Sequence, residues 1–529
     1  MYFSKKNILV LVFGIIMWSC GRNNRPGIDN GFTLSKSISA ADLKAGRHLA
    51  EQRCQSCHAF PEPDLLDKES WERYVLPTMG YRLGLYHRDS GKAEGIRSEF
   101  IESGRAGELV LQANVFPAAP TISATDFQKI TDYYLSTAPA SPLAPATKPL
   151  ISPVLPLFQP YFPDLPFRPA STTLVKIDPA TQQLYVGSAQ QNNLMVLDSQ
   201  GKLKSTLALN QVPSDFLVQP AGSYVLNIGS FFPSDSPAGT LTFYPTDQQE
   251  PQTILKGLQR PVQAQFADLN EDNNPDILVC EFGNQTGSLS WYETPKNQPA
   301  KKHILKNAPG AARAYVQDLN DDRQPDIIAL MAQGNEGIFI FYNEGQGRFR
   351  EEQVLRFAPS MGSSYFELID FNQDGYSDIL YTAGDNADFA PIQKRYHGIR
   401  LYLNNGRNSF TEAFFFPQNG AYKATAADFD KDGDLDIASI AFFARFKENP
   451  AESFIYLENK GNYSFTASTF RGSNRGRWLT LDKGDIDADG DIDLILGSFV
   501  LKTKLATDQQ NQDWAANGPV AVILENKIR

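Results

Sequence analysis

Cysteine is scarce, with four in 529 residues, too few for the disulfide framework that staples small secreted folds. Lysine and arginine number 49 against 60 aspartates and glutamates, a net charge of −11, so no basic surplus is present to bind nucleic-acid phosphates. Beyond residues 8–18 there is no long apolar run, which excludes a polytopic membrane protein. The chain also lacks GxSxG, HExxH and a phosphate loop, and with them the common hydrolase, zinc-protease and nucleotide-binding signatures. What is present is an ordinary globular balance, 42% hydrophobic and 21% charged, in a length that suits roughly two to four domains.

The first residues read as an address. Lys5 and Lys6 precede the apolar run 8–18, which falls short of the about 20 residues a bilayer span needs. A charged start, a short apolar stretch and the small Ser19 make an export signal. Met17-Trp18-Ser19-Cys20 resembles a bacterial lipobox, with bulkier residues at Met17 and Trp18 than its usual pattern. The resemblance implies a signal peptide over 1–19, lipidation of Cys20 and a tether over 20–40. It places the protein in a bacterial cell envelope, membrane-anchored by lipid and exposed to the periplasm or outside. Ordinary cleavage leaving a spare cysteine is the alternative.

Cys54-Gln55-Ser56-Cys57-His58 is a CxxCH motif. Two thiols one turn apart can form thioethers to the two vinyl groups of haem, and the adjacent imidazole then reaches the iron. A thioredoxin-like CxxC or half a zinc site are the rival readings; the chain holds no second CxxC. Ala40, Ala41, Leu43, Gly46, Leu49 and Ala50 have the spacing of a helix delivering the motif. Trp71 to Met79 resembles the short-loop cytochrome c pattern, in which a Trp-led helix ends in the distal ligand. That resemblance makes Met79 the second iron ligand, with His87 or water as the alternative. Residues 126–135 read as a closing helix with Thr125 at its cap. Tyr133-Tyr134-Leu135 resembles the aromatic end of the last cytochrome c helix, which packs on the first. The expectation is a small all-α cytochrome c domain over 41–138 carrying covalent haem c.

A linker over 139–165 follows, with prolines every three or four residues. Such spacing favours extended backbone and a semi-rigid spacer. Five acidic loops come after it. Their first, third, fifth and ninth positions are Asp268, Asn270, Asp272, Asp276; Asp318, Asn320, Asp322, Asp326; Asp370, Asn372, Asp374, Asp378; Asp428, Asp430, Asp432, Asp436; and Asp485, Asp487, Asp489, Asp493. Hard oxygens at this spacing suit calcium. Position 12 lacks the EF-hand glutamate, and the apolar runs after each loop, such as Ile277-Leu278-Val279, read as strands. The first aspartates recur at intervals of 50, 52, 58 and 57 residues, a period that signals a β-propeller. Two earlier units, from Leu174 and Phe216, keep the strand rhythm without the acids, which makes seven blades over 166–529. The last blade has too little chain for a fourth strand, so a segment near Val154–Phe167 is expected to supply it.

These loops resemble the FG-GAP (VCBS) propellers of integrin α-chains and many bacterial secreted proteins. The resemblance implies calcium held within the blades, mainly structural. Asn273 and Arg323 stand where the other loops have the turn glycine, which makes the first two sites the doubtful ones. An Asp-rich turn without metal is the bland reading of any single loop. Removing residues 1–19 takes two lysines and no acid, giving −13, and five Ca²⁺ would leave −3. Cys280, between Val279 and Glu281, reads as a buried small residue. Arg313, Arg395, Arg445, Arg475 and Arg477 lie at strand ends and could line one face, and the Gly-rich stretch 472–477 is a candidate binding loop, with a plain turn as the alternative.

The sequence therefore points to a haem electron-transfer lipoprotein that serves a redox partner protein and whose calcium-binding propeller recognises a partner protein or a glycan. The alternatives are a propeller–cytochrome dehydrogenase oxidising a sugar or alcohol, and an adhesion or carbohydrate-binding protein with a redox-sensing haem. No catalytic residue stands out.

Overall fold

The computed structural model describes residues 31–86, 100–145, 147–247, 249–295, 298–386 and 392–528. Residues 1–19, read above as an export signal, Cys20 and His87 lie outside the described residues. Seven four-stranded antiparallel sheets follow one another along the chain. Their inner strands, from Thr172–Asp178 to Trp478–Gly484, touch in chain order, and the last touches the first. The sheets thus close into a seven-bladed β-propeller. Second strands such as Asp276–Glu281 and Asp378–Ala383 are buried along their whole length, whereas the outer strand Leu203–Ala208 faces solvent. Burial on both faces is why the second strands read as unbroken apolar runs rather than as alternating ones.

The last blade takes Trp478–Gly484, Asp493–Ser498 and Ala521–Asn526 from the end of the chain, and Phe158–Tyr161 from ahead of the first blade. Phe158 stands opposite Asn526 and Tyr161 opposite Ile523. The closing strand is therefore where the missing fourth run required it, inside the proline-rich segment. Pro160 is tolerated because this is an edge strand. The Phe158 ring packs edge-on to Phe429 at 5.5 Å and Tyr456 at 5.8 Å. Phe158→Ala is expected to cost about 3–5 kcal/mol, read as a lower urea midpoint. A loss below about 1 kcal/mol would show that the clasp does not hold the ring.

Side chains of the inner strands tie each blade to the next. The Ala264 amide donates to Asp215 Oδ2 at 3.0 Å, the Ala426 amide to Glu367 Oε2 at 2.9 Å, and the Ile177 amide to Asp482 Oδ2 at 2.9 Å across the ring closure. Arg313 lies over Tyr315 and Tyr365, and Lys423 also covers Tyr365. Arg313 is thus committed to the inner ring.

Ahead of the ring is a helical unit with helices Ala40–Cys54, Leu76–Arg82, Arg105–Gln112 and Ala124–Thr137. Ser39 and Asp42 form a capping box on the first, which ends at the CxxCH motif. The first and last helices pack on each other at Gly46, where an added Cβ would lie 2.1 Å from the Lys129 carbonyl. Two expectations are corrected. The closing helix is capped by Ser123, not Thr125: Ser123 Oγ accepts the Asp126 amide at 3.0 Å, and Thr125 lies within the helix. The Trp-led segment does not end at Met79. It opens as a π-helical turn over Trp71–Val75 and continues to Arg82. Pro77 has no amide to give to the preceding turn, while the Leu76 amide reaches back to the Trp71 carbonyl.

Candidate functional site

The acidic loops join the first and second strands of the third to seventh blades and share one backbone. Their fourth residues, Glu271, Asp321, Gln373, Lys431 and Ala488, all have φ between 57° and 64°. The sixth are also left-handed, with φ of 63° at Asn273 and 68° at Arg323 beside 91° at Gly375. The first two loops therefore adopt the fold of the others, at the roughly 1–2 kcal/mol that a side chain costs in this region. In the first loop the Asp272 amide donates to Asp268 Oδ1 at 3.1 Å and to Asn270 Oδ1 at 3.0 Å.

The loops differ in what their oxygens do. Asp428, Asp430 and Asp432 bring carboxylate oxygens within 4.8 Å of one another, and so do Asp485, Asp487 and Asp493. In the first three loops the position-3 amide is turned onto its neighbour, from Asn270 to Asp272 at 3.4 Å, Asn320 to Asp322 at 2.9 Å and Asn372 to Asp374 at 2.9 Å. The ninth residues start the second strands and bond backbone. Asp276 accepts the Leu269 amide and Asp326 the Leu319 and Asn343 amides. Asp378 accepts from Phe371 and Asn404, Asp436 from Asn459 and the Tyr456 hydroxyl, and Asp493 from Ile486 and Asn526. They are hinge pins of the blade as much as candidate ligands.

Calcium fits the fourth and fifth loops. Asp428 Oδ1, Asp434 Oδ1 and both Asp491 carboxylate oxygens are buried without a partner, a costly state that a cation would relieve. Burial and neighbouring carboxylates push Asp491 up to about 6, and burial foremost pushes Asp436 and Asp493 up to about 7. Asp434 and Asp491, at position 7, lie outside the sequence pattern of positions 1, 3, 5 and 9.

At the other end of the blades lies the CxxCH turn. The Cys57 and His58 amides both donate to the Cys54 carbonyl, placing the two thiols one turn apart, unpaired, Cys54 half-buried and Cys57 exposed. His58 Nδ1 lies 2.8 Å from the Ala59 carbonyl. As a donor there, it leaves Nε2 with its lone pair free, as a metal-ligating imidazole requires. Burial holds His58 below its ordinary value, with Arg356 and Arg82 acting in the same sense, so it is neutral near pH 7. Among the described residues, Cys54, Cys57 and His58 do not bring three ligand atoms within 4.8 Å of one another. These residues fit covalent haem. Met79 is half-buried within Leu76–Arg82, one turn before Arg82.

The helical unit rests on the rim formed by the loops after the second strands, opposite the acidic loops. Glu102 accepts from Ser234 Oγ at 2.7 Å and the Asp235 amide at 2.8 Å. Arg82 donates to Gln285 at 2.6 Å, Arg395 pairs with Asp64 at 2.5 Å, and the Tyr396 hydroxyl reaches the Leu65 carbonyl at 3.3 Å. Arg356 Nη2 donates to the Gln55 carbonyl, inside the CxxCH turn, at 3.4 Å.

A cavity of about 130 Å³ opens on the same rim, lined by residues including Asn386, His397, Asn419, Arg445, Lys447 and Lys504. His397 Nε2 and Asn386 Oδ1 are buried without a partner, and burial keeps His397 neutral. The five arginines do not gather in one site. Arg395 holds the helical unit, Arg445 lines the cavity, Arg475 covers Phe162, and Arg477 is buried on Phe442. Residues 472–477 form a packed turn whose Ser473 and Asn474 carbonyls accept from the Trp478 and Trp514 indoles. Cys280 is fully buried and donates to Gln263 Oε1, its thiol pushed up to about 12 by burial.

A family model described as an FG-GAP-like repeat matches residues 318–381 and 386–439, which contain the second, third and fourth acidic loops. The chain thus carries FG-GAP-like repeats on its seven-bladed propeller. A comparison with curated proteins finds no match. Among solved structures the chain is similar to BBS1N in complex with ARL6DN, at 12% identity and TM-score 0.40 over 72% of this chain and 98% of that one. It is also similar to the Neurospora crassa Pan2 WD40 domain, at 11% and 0.41 over 68% and 91%. The N-terminal domain of Nup159 is similar at 10% and 0.40 over 72% and 99%.

Proposed function

We propose that this protein is a haem-c electron-transfer lipoprotein of a bacterial cell envelope, anchored through Cys20, whose calcium-stiffened propeller recognises a partner protein or ligand. The observation that carries the reading is the CxxCH turn: two unpaired thiols beside an imidazole tied by Nδ1 to the Ala59 carbonyl. The bound haem would take up and release one electron. Cys54 and Cys57 would hold it, His58 would ligate the iron through Nε2, and Met79 is the proposed distal ligand, a soft thioether that raises the potential. The helical unit's apolar core, with Trp71 and Tyr134 rings 4.3 Å apart, would keep water from one side of the site. Calcium is proposed first at the fourth and fifth loops. Ligand recognition is proposed at the cavity on the propeller rim, whose polar lining includes Asn386, His397 and Asn419 and the Arg445–Glu448 pair at 3.6 Å, and suits a hydrogen-bonding group on a partner or glycan.

One contact favours a second reading, an oxidoreductase passing electrons from a substrate to the haem: Arg356 brings the propeller rim onto the CxxCH turn. The two readings part when the oxidised, calcium-loaded protein is mixed with sugars, alcohols and aldehydes while haem absorbance is followed. Electron relay predicts prompt reduction by small chemical donors and none by these substrates. Reduction by one substrate class would replace the relay with an enzyme.

A further inference from the structure

We propose that the propeller completes the haem site and sets its redox potential, through Arg356. The inference rests on the haem reading above and goes beyond it, since that reading treats the propeller only as a platform.

Arg356 ends the outer strand Phe349–Arg356 of the fourth blade, 301 positions from Gln55, yet its guanidinium donates to the Gln55 carbonyl. Gln55 lies between the two thioether cysteines. Arg356 Nε is itself held by Asn335 Oδ1 at 3.2 Å, a residue of the loop after that blade's second strand, so the propeller aims the charge. Arg82 brings a second guanidinium from the helical side, one turn beyond Met79, and the propeller fixes this one too, through Gln285 at 2.6 Å. Arg356 thus lies against the turn that carries Cys54, Cys57 and His58, and Arg82 stands one turn beyond Met79. Two cations held by the propeller, one on the CxxCH turn and one a turn beyond Met79, would oppose the extra positive charge of the oxidised iron and stabilise the reduced form.

The contact stays in place because the units are latched elsewhere. Glu102 caps the turn at Ser234 and Asp235, and buried Asp235 in turn accepts from the Gln285 and Thr286 amides at 2.8 and 2.7 Å. The segment that holds Arg82 is therefore braced by the residue that receives the latch. Whatever shifts the rim shifts both guanidiniums. By linkage, a partner bound to the rim would alter the potential, and the redox state would alter the partner's affinity by the same factor.

The test uses the full-length protein and spectroelectrochemical titration at low salt, because Arg356 is exposed and its field is screened. Pyridine haemochrome assay of the wild type comes first; absence of covalent haem there would overturn the haem reading and this proposal together. With haem present, Arg356→Gln is expected to reduce the equilibrium constant for reduction at least threefold, a midpoint lower by about 28 mV, since tenfold is 59 mV for one electron. Arg356→Lys should retain most of the wild-type value. Glu102→Gln, which weakens the latch without touching either arginine, should lower the midpoint in the same direction. An unchanged midpoint in Arg356→Gln, with haem content intact, overturns the proposal and leaves the haem reading standing.

Discussion

Removing divalent cations is expected to lower the melting temperature of the propeller by roughly 10 °C. The fourth and fifth loops carry the effect. Each packs three aspartates with ligand oxygens within 4.8 Å, and buried Asp491 has no partner for either carboxylate oxygen. A cation at a hundred times its dissociation constant adds about 2.7 kcal/mol per site, so two sites supply about 5 kcal/mol. The chelated protein should also answer to pH in a specific direction. Asp436 and Asp493 sit at about 7 in the folded chain, above the unfolded value of about 3.9. The folded state thus binds their protons more tightly, and the stability this contributes is lost as pH rises through about 7. Chelated protein should therefore gain stability as pH falls from about 8 to about 6, and calcium-loaded protein should not, because the cation takes the protons' place. Calorimetry with EDTA, with calcium returned, and at three pH values checks both. A midpoint unmoved by EDTA would sink the calcium assignment.

Gly46→Leu is expected to unfold the helical unit while leaving the propeller folded. In an isolated helix a glycine-to-leucine change stabilises by up to about 1 kcal/mol, so a loss reverses the propensity sign and isolates the packing term. An added Cβ would meet the Lys129 carbonyl at 2.1 Å and Tyr133 Cβ at 2.9 Å, and backbone cannot move aside as a flexible side chain can. Separating the first and last helices would expose Ala50 and Tyr134, each 1% exposed or less. A cost above about 4 kcal/mol is expected, at the severe end of overpacking. Limited proteolysis should release an intact propeller from the Gly46→Leu variant, and near-UV circular dichroism should lose the signal of the Trp71–Tyr134 pair. Unchanged resistance to protease would mean that the two helices do not bear on each other at Gly46.

Much of the ring was legible because its cause is local. Second strands are buried on both faces and read as apolar runs, and acidic loops at one end of five of the seven blades mark the period. The clasp at Phe158 was legible from a deficit: a last blade with three runs needs a fourth from elsewhere. Arg323 shows where local reasoning stops. The sequence argues against a left-handed arginine, yet Arg323 has φ of 68°, because the Asp318 carboxylate accepts its amide at 2.7 Å and fixes the turn. Contacts between distant segments left no trace in the sequence. Nothing in the spacing of Gln55 and Arg356, or of Glu102 and Ser234, brings them together; only the ring geometry does. The ends of the helical segments were misjudged for a smaller reason, the choice between Ser123 and Thr125 as cap and the missing amide of Pro77.

The most direct test of the account is mass spectrometry of the peptide bearing Cys54 to His58, from protein exported in a bacterium with the machinery for attaching haem c. The account predicts one haem on that peptide, joined through both cysteines, and its loss in a Cys54→Ser, Cys57→Ser double variant. A wild-type peptide with two unmodified thiols, or with a disulfide between them, would contradict it.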